Sequence, residues 1–137
     1  MQKKVIDKDG VQVIEALTQK YESTMNKRLD ERFRINFKVF IRLSDGSIVQ
    51  AQAVDISMGG IYIEYAASAD VGKVFDLAFD LPLTNDFKKV FVKARVVRSV
   101  VLGSRSLYGL AFVYTEFVNE TDKILEKYMK LRKLQAT

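Results

Sequence analysis

A small six-stranded antiparallel β-barrel with a helix at each end is the fold that this sequence predicts. Most of the chain consists of short segments in which apolar and polar residues alternate, and turn-forming residues separate these segments. Near both ends of the chain, apolar residues instead recur at helical spacing. Six short strands with frequent turns favour a small barrel that is flanked by the terminal helices.

The 137 residues fit one globular domain that is preceded by a short N-terminal extension. We predict a polar tail and an amphipathic helix within residues 1–26, and the barrel with its C-terminal helix within residues 27–137. The first helix is expected at residues 9–25, where Asp9 and Gln12 have the spacing of a capping box.

Turn signals divide the central part of the chain into strands. The dipeptide Asp45-Gly46 is typical of a hairpin turn, and Pro82, the only proline, ends a strand. Gly109 lies inside the last strand, where glycine often marks a bulge or a close approach of the backbone. Asn119 is expected to cap the C-terminal helix. The predicted strands are 33–43, 48–56, 61–65, 74–81, 89–101 and 107–114.

The composition disfavours several classes of function. Without cysteine or histidine, the chain has no disulfide, no thiolate nucleophile and neither of the commonest zinc ligands. No close pair of catalytic carboxylates, lysines or tyrosines stands out, so we expect no enzyme. The net charge of +5 suggests an anionic partner. No apolar run reaches the roughly 18 residues of a membrane span and no signal-peptide core is evident, so we expect a soluble, cytoplasmic protein without membrane insertion.

Two short polar motifs flank the first pair of strands. Arg28 and Arg32 are four residues apart just before the first strand, and Asp55, Ser57 and Gly60 lie where the second strand ends and the third begins. Two guanidinium forks and a tight polar turn are suited to a phosphate-rich ligand. Each motif also has a simpler interpretation, the arginines as a solvated charge run and the second motif as an Asx or Ser turn.

The order and spacing of these motifs resemble the PilZ domain, a bacterial receptor domain for cyclic di-GMP. The family pattern is Arg-x-x-x-Arg in an N-terminal link, followed by Asp/Asn-x-Ser-x-x-Gly on the barrel. The resemblance covers about residues 27–133. It implies that the ligand is bound by Arg28, Arg32, Asp55, Ser57 and Gly60.

The resemblance also implies a role for each residue type. Arginine can bond phosphate oxygens or the O6/N7 edge of guanine and can stack on the base. Asp55 can accept hydrogen bonds from guanine N1 and N2, Ser57 can contact the ligand or shape the turn, and Gly60 permits close approach of the backbone. Gly59 and Arg34 are additional candidate contacts. The N-terminal link that carries the arginines would become ordered when the ligand binds, and this change would be the switch.

The function implied by the resemblance is a non-enzymatic cyclic di-GMP receptor that signals through an altered protein–protein contact. Its output would control motility, biofilm formation or exopolysaccharide export. The ligand is cyclic di-GMP, no cofactor or metal is expected, and the protein partner is unidentified. The sequence does not decide whether the terminal helices form a homodimer or whether one or two ligands are bound.

Two other functions are weighed against the receptor. A ligand-independent adaptor of the same fold would not need the arginine pair that this chain has. A small basic barrel that binds nucleic acid is disfavoured, because basic residues are scattered among acidic ones and no aromatic-rich sheet motif is present.

Overall fold

Six strands close into an antiparallel barrel in the computed structural model, which describes residues 31–103 and 106–135. Around the barrel the strand order is β1-β2-β3-β6-β5-β4, and β4 pairs with β1 to close it. The predicted barrel and C-terminal helix are confirmed, whereas the predicted helix at residues 9–25 lies outside the described residues. The elements are β1 (Phe33–Arg42), β2 (Ile48–Ile56), β3 (Gly60–Tyr65), β4 (Val74–Pro82), β5 (Phe87–Val101), β6 (Tyr108–Phe117) and helix α1 (Asp122–Gln135).

Alternation of apolar and polar residues determines which side chains enter the barrel. In β1 the burial of side chains alternates along the strand, and Val39 and Ile41 are buried. The same period in β4 and β5 brings Phe79 and Val92 into the interior. These side chains join one continuous core, so the barrel is filled rather than hollow.

Two strands extend by two or more residues beyond their predicted bounds. Strand β5 begins at Phe87 rather than at residue 89, because Pro82 at the end of β4 pairs with it. Strand β6 continues past residue 114 to Phe117, which pairs with Val92 of β5. Both extensions depend on pairing with a neighbouring strand, which local alternation does not reveal.

The prediction that Asn119 caps the C-terminal helix is wrong. Asn119 and Glu120 have left-handed φ values of 55° and 58°, and the helix begins at Asp122. The carbonyl of Thr121 accepts hydrogen bonds from the N–H groups of Ile124 and Leu125 in the first turn of the helix. Its hydroxyl instead pairs with β5, accepting a hydrogen bond from Phe91 N at 3.2 Å and donating one to Phe91 O at 2.9 Å. The start of α1 is therefore attached to the barrel.

Helix α1 covers the barrel and reaches the beginning of β1. Leu125, Tyr128 and Met129 are buried beneath it. In its last turn, the guanidinium of Arg132 lies 5.3 Å from the centre of the Phe33 ring and donates a hydrogen bond to the Tyr128 hydroxyl at 2.8 Å. The helix thus contacts the residue that directly follows Arg32. No helix in the described part of the chain has the length and apolar character to cross a membrane.

Candidate ligand-binding site

A one-residue shift in strand pairing turns Asp55 toward the outside of the barrel. Ala53 and Asp55 pair with consecutive residues of β3, so Val54 is an extra residue on β2. Strict alternation from the buried Ala53 would turn residue 55 inward. After the shift, Ile56 is the buried residue and the carboxylate of Asp55 stays at the surface.

Ser57 holds the turn between β2 and β3. It is fully buried, and its Oγ accepts hydrogen bonds from the backbone N–H groups of Gly59 and Gly60 at 3.2 and 3.1 Å. The backbone N–H of Ser57 donates to the carbonyl of Gly60 at 2.9 Å. The turn is therefore closed by bonds within four residues, as a Ser turn requires.

Close contacts between neighbouring strands of the barrel favour glycine at two positions. A Cβ at Gly60 would overlap the backbone carbonyl of Phe112 on β6, so this glycine allows β3 to approach β6. A Cβ at Gly109 would overlap the end of the Tyr62 side chain. The prediction of a bulge or a close backbone approach at Gly109 is wrong, because the group that lies against this glycine is the Tyr62 side chain and β6 pairs regularly with β3 there.

Arg32 joins the segment before β1 to the turn. Its Nε donates a hydrogen bond to Asp55 Oδ1 at 2.7 Å, and its Nη1 donates to Ser57 Oγ at 3.1 Å. The two side chains of the ion pair are 40% and 26% exposed. A pair so exposed contributes roughly 0–1 kcal/mol, so little free energy opposes its replacement by another partner. Arg28 lies outside the described residues.

The residues of the second motif line one surface cleft of about 540 Å³ together with Arg32. Arg34 does not line this cleft but borders a separate depression with Tyr128 and Arg132 of α1. In the described part of the chain, no group of three or more acidic, histidine or cysteine side chains could hold a metal ion. The residues lining the cleft are Arg32, Asp55, Ser57, Gly59, Gly60, Tyr62, Val97, Arg98, Ala111, Phe112 and Val113.

Arg98 belongs to the cleft because of a second shift in strand pairing. Val96 and Arg98 of β5 pair with consecutive residues of β6, so Val97 is the extra residue. Strict alternation from the buried Val96 would turn Arg98 into the core, but after the shift it is exposed beside Ala111. The sequence shows only an arginine in a strand, so its place in the cleft is not predictable from alternation.

Tyr114 is a further polar residue next to the turn. Its backbone N–H donates to the carbonyl of Gly59 at 3.0 Å. Its hydroxyl is buried without a hydrogen-bond partner among the residues that the structure describes. Burial raises the pKa of the phenol far above its usual value, while Arg32 lowers this pKa and Asp55 raises it by smaller effects. Tyr114 is therefore a neutral side chain beside the charged pair. Nothing in the sequence distinguishes it from other tyrosines that pack in a core.

The chain is similar to a known family and to several solved structures. The family model for the PilZ domain matches residues 26–130. No curated protein matches the chain significantly in sequence. Among solved structures, the chain is similar to the Bacillus subtilis inhibitor of motility MotI/DgrA, with 22% identity, a TM-score of 0.66, and coverage of 76% of this chain and 50% of that chain.

Two further structures share the barrel. Borreliella burgdorferi PlzA, solved in complex with c-di-GMP, is 15% identical with a TM-score of 0.56, over 90% of this chain and 50% of that chain. The PilZ domain of CeSA from a cellulose-synthesizing bacterium is 20% identical with a TM-score of 0.51, over 75% of this chain and 99% of that chain. The chain thus spans half the length of MotI/DgrA and of PlzA. The family match over residues 26–130 and the closed six-stranded barrel together show that the chain belongs to the PilZ domain family.

Proposed function

We propose that this chain is a non-enzymatic receptor for cyclic di-GMP, which binds in the cleft beside Arg32 and the Ser57–Gly60 turn. The observation that carries the proposal is the convergence of Arg32, Asp55 and Ser57 within hydrogen-bond distance at the surface of a PilZ-family barrel. The structure of PlzA in complex with c-di-GMP supports the choice of ligand.

Ligand binding would exchange partners in the Arg32–Asp55 pair. The guanidinium of Arg32 can bond phosphate oxygens or the O6/N7 edge of guanine, and the carboxylate of Asp55 can accept from guanine N1 and N2. Each group would give up a partly exposed ion pair and gain a charge-assisted hydrogen bond to the ligand. Because Ser57 already closes the turn, the ligand would meet preformed backbone geometry.

Helix α1 is suited to carry the response to a partner protein. Arg132 contacts Phe33, and Lys133 Nζ lies 3.8 Å from Glu31 Oε1, so the helix contacts both neighbours of Arg32 in the chain. A change in the position of Arg32 would therefore be transmitted to the last turn of α1. We propose that this alters a contact with a protein that controls motility, biofilm formation or exopolysaccharide export in the cytoplasm, and that Arg28 supplies a second guanidinium.

Isothermal titration of the full chain with cyclic di-GMP tests the proposal. We expect the unaltered chain to show saturable binding at micromolar or lower ligand concentration. Arg32→Ala and Asp55→Ala should each weaken binding by about tenfold or more, because each removes a charge-assisted hydrogen bond. Lys89→Ala and Asp80→Ala are matched controls, since this exposed ion pair at 3.0 Å lies outside the cleft. Absence of binding by the unaltered chain, or tighter binding of an oligonucleotide, would contradict the receptor function.

A further inference from the structure

On the basis of the proposed function, we infer that Arg98 is a second ligand-binding cation of the cleft and contacts a phosphodiester group of the dinucleotide. Arg98 belongs to the barrel itself, on β5, whereas Arg32 precedes β1. The two arginines line the same cleft. A ligand that fills this cleft would therefore meet a cation from the link and another from the barrel wall.

Strand register places Arg98 and Asp55 in one row across the barrel surface. Asp55 of β2 pairs with Tyr62 of β3, Tyr62 pairs with Ala111 of β6, and Ala111 pairs with Arg98 of β5. All four residues line the cleft. Neighbouring strands lie about 4.8 Å apart, so three steps separate the ends of the row by roughly 14 Å at the backbone. Asp55 and Arg98 thus form opposite sides of the site.

Charge balance makes Arg98 the cation available to an anionic ligand. Arg32 is paired with Asp55 at 2.7 Å, so these two charges compensate each other. No ion pair involves Arg98 within the described part of the chain. Among the described residues that line the cleft, the remaining net charge is therefore the single positive charge of Arg98. A ligand with two phosphodiester charges is attracted by this excess.

The surroundings of Arg98 fit a nucleotide rather than a free inorganic anion. The cleft is also lined by the small side chain of Ala111 and by Val97 and Val113, which are 46% and 42% exposed. Exposed apolar side chains beside an unpaired cation can contact the sugar and base while the guanidinium bonds the phosphate. Arg95, an exposed arginine on the same strand, does not line the cleft.

Titration of the full chain with cyclic di-GMP, in parallel for four proteins, tests this role. We expect Arg98→Ala to weaken binding by roughly tenfold, because one charge-assisted phosphate contact is lost. Arg98→Lys should stay within about threefold of the unaltered chain, since lysine keeps the charge that a phosphate requires. Arg95→Ala should bind normally. The loss of affinity in Arg98→Ala, relative to the unaltered chain, should become smaller as salt is raised toward 1 M, where the screening length falls to about 3 Å.

The outcomes separate this role from the receptor function. Equal affinity of Arg98→Ala, Arg95→Ala and the unaltered chain would overturn the role of Arg98 and leave the receptor function intact. Equal weakness of Arg98→Lys and Arg98→Ala, or a deficit that does not change with salt, would overturn the phosphodiester contact. An unaltered chain that binds no cyclic di-GMP would overturn the receptor function and this role together. Thermal melts of the variants confirm that each is folded.

Discussion

Replacement of Ser57 by alanine should destabilise the barrel even when no ligand is present. The buried Oγ accepts hydrogen bonds from the N–H groups of Gly59 and Gly60 and lies 3.3 Å from the carbonyl of Gly60, to which it can donate. Alanine fits the same space but offers neither a donor nor an acceptor. The variant therefore isolates the structural part of the motif from its proposed contact with the ligand.

The loss can be estimated from the burial of the groups that are left without a partner. Gly60 is buried, and an unsatisfied buried N–H costs about 1–3 kcal/mol. Gly59 is half-buried, so water can partly replace its lost bond, at a cost of about 1 kcal/mol or less. Arg32 is exposed enough to turn to solvent and adds little. We expect the free energy of unfolding to fall by about 1–4 kcal/mol.

Urea unfolding followed by circular dichroism measures this change, and the m-value should stay constant. The matched control is Ser47→Ala in the first hairpin, where the hydroxyl donates to Asp45 Oδ1 at 2.6 Å but is exposed. We expect the control to lose less than about 1 kcal/mol, because water replaces an exposed hydrogen bond. A loss at Ser57 no larger than that at Ser47 would refute the conclusion that the hydroxyl holds the turn.

Three further substitutions test other parts of the structure. Gly60→Ala should cost about 3 kcal/mol or more in urea unfolding, because the new Cβ would meet the backbone carbonyl of Phe112 rather than a movable side chain. Tyr114→Phe should raise the free energy of unfolding by about 1 kcal/mol, since it removes a buried hydroxyl that has no partner in the described part of the chain. Asp76→Asn should lower the pKa of Lys93, followed by NMR, because the carboxylate at 2.8 Å raises this pKa above its usual value. The stabilisation from that pair is present at neutral pH and is lost as pH rises through the raised pKa.

Matched substitutions at Gly109 and Tyr108 serve as controls for the Gly60 and Tyr114 variants. Gly109→Ala should cost less than the Gly60 variant, because its Cβ would meet the end of the Tyr62 side chain, which can move. Tyr108→Phe should leave stability nearly unchanged, since Tyr108 is half-buried and its hydroxyl is not a buried group without a hydrogen-bond partner. Equal losses for the two glycine variants would contradict the backbone clash at Gly60. Destabilisation by Tyr114→Phe would contradict the unpartnered hydroxyl. An unchanged pKa of Lys93 in the Asp76 variant would contradict the effect of the carboxylate.

The strands and turns were predictable because their signals are local. Alternation of apolar residues marks the inward face of β1, and the Asp45-Gly46 turn precedes β2 where the hairpin signal predicts it. The C-terminal helix is likewise evident from its spacing of apolar residues. Its start was not predictable, because the hydroxyl of Thr121 bonds β5 some 30 residues away instead of the helix itself.

The cleft was predictable only in part. The spacing of Asp55, Ser57 and Gly60 indicates a polar turn. The hydrogen bonds from Arg32 to Asp55 and Ser57 are known only from the structure. Arg98 was not predictable as a lining residue, because its direction depends on an extra residue in β5 that only pairing with β6 reveals.

The sequence by itself determined the strands, the turn and the residue types of the candidate site, because alternation and turn chemistry act over a few neighbouring residues. The tertiary structure decided which charged side chains face one another. Shifts of one residue in the pairing of β2 with β3 and of β5 with β6 turn Asp55 and Arg98 outward onto the same cleft. A one-residue shift reverses the face of every side chain that follows, and it is evident only from the way the strands pair.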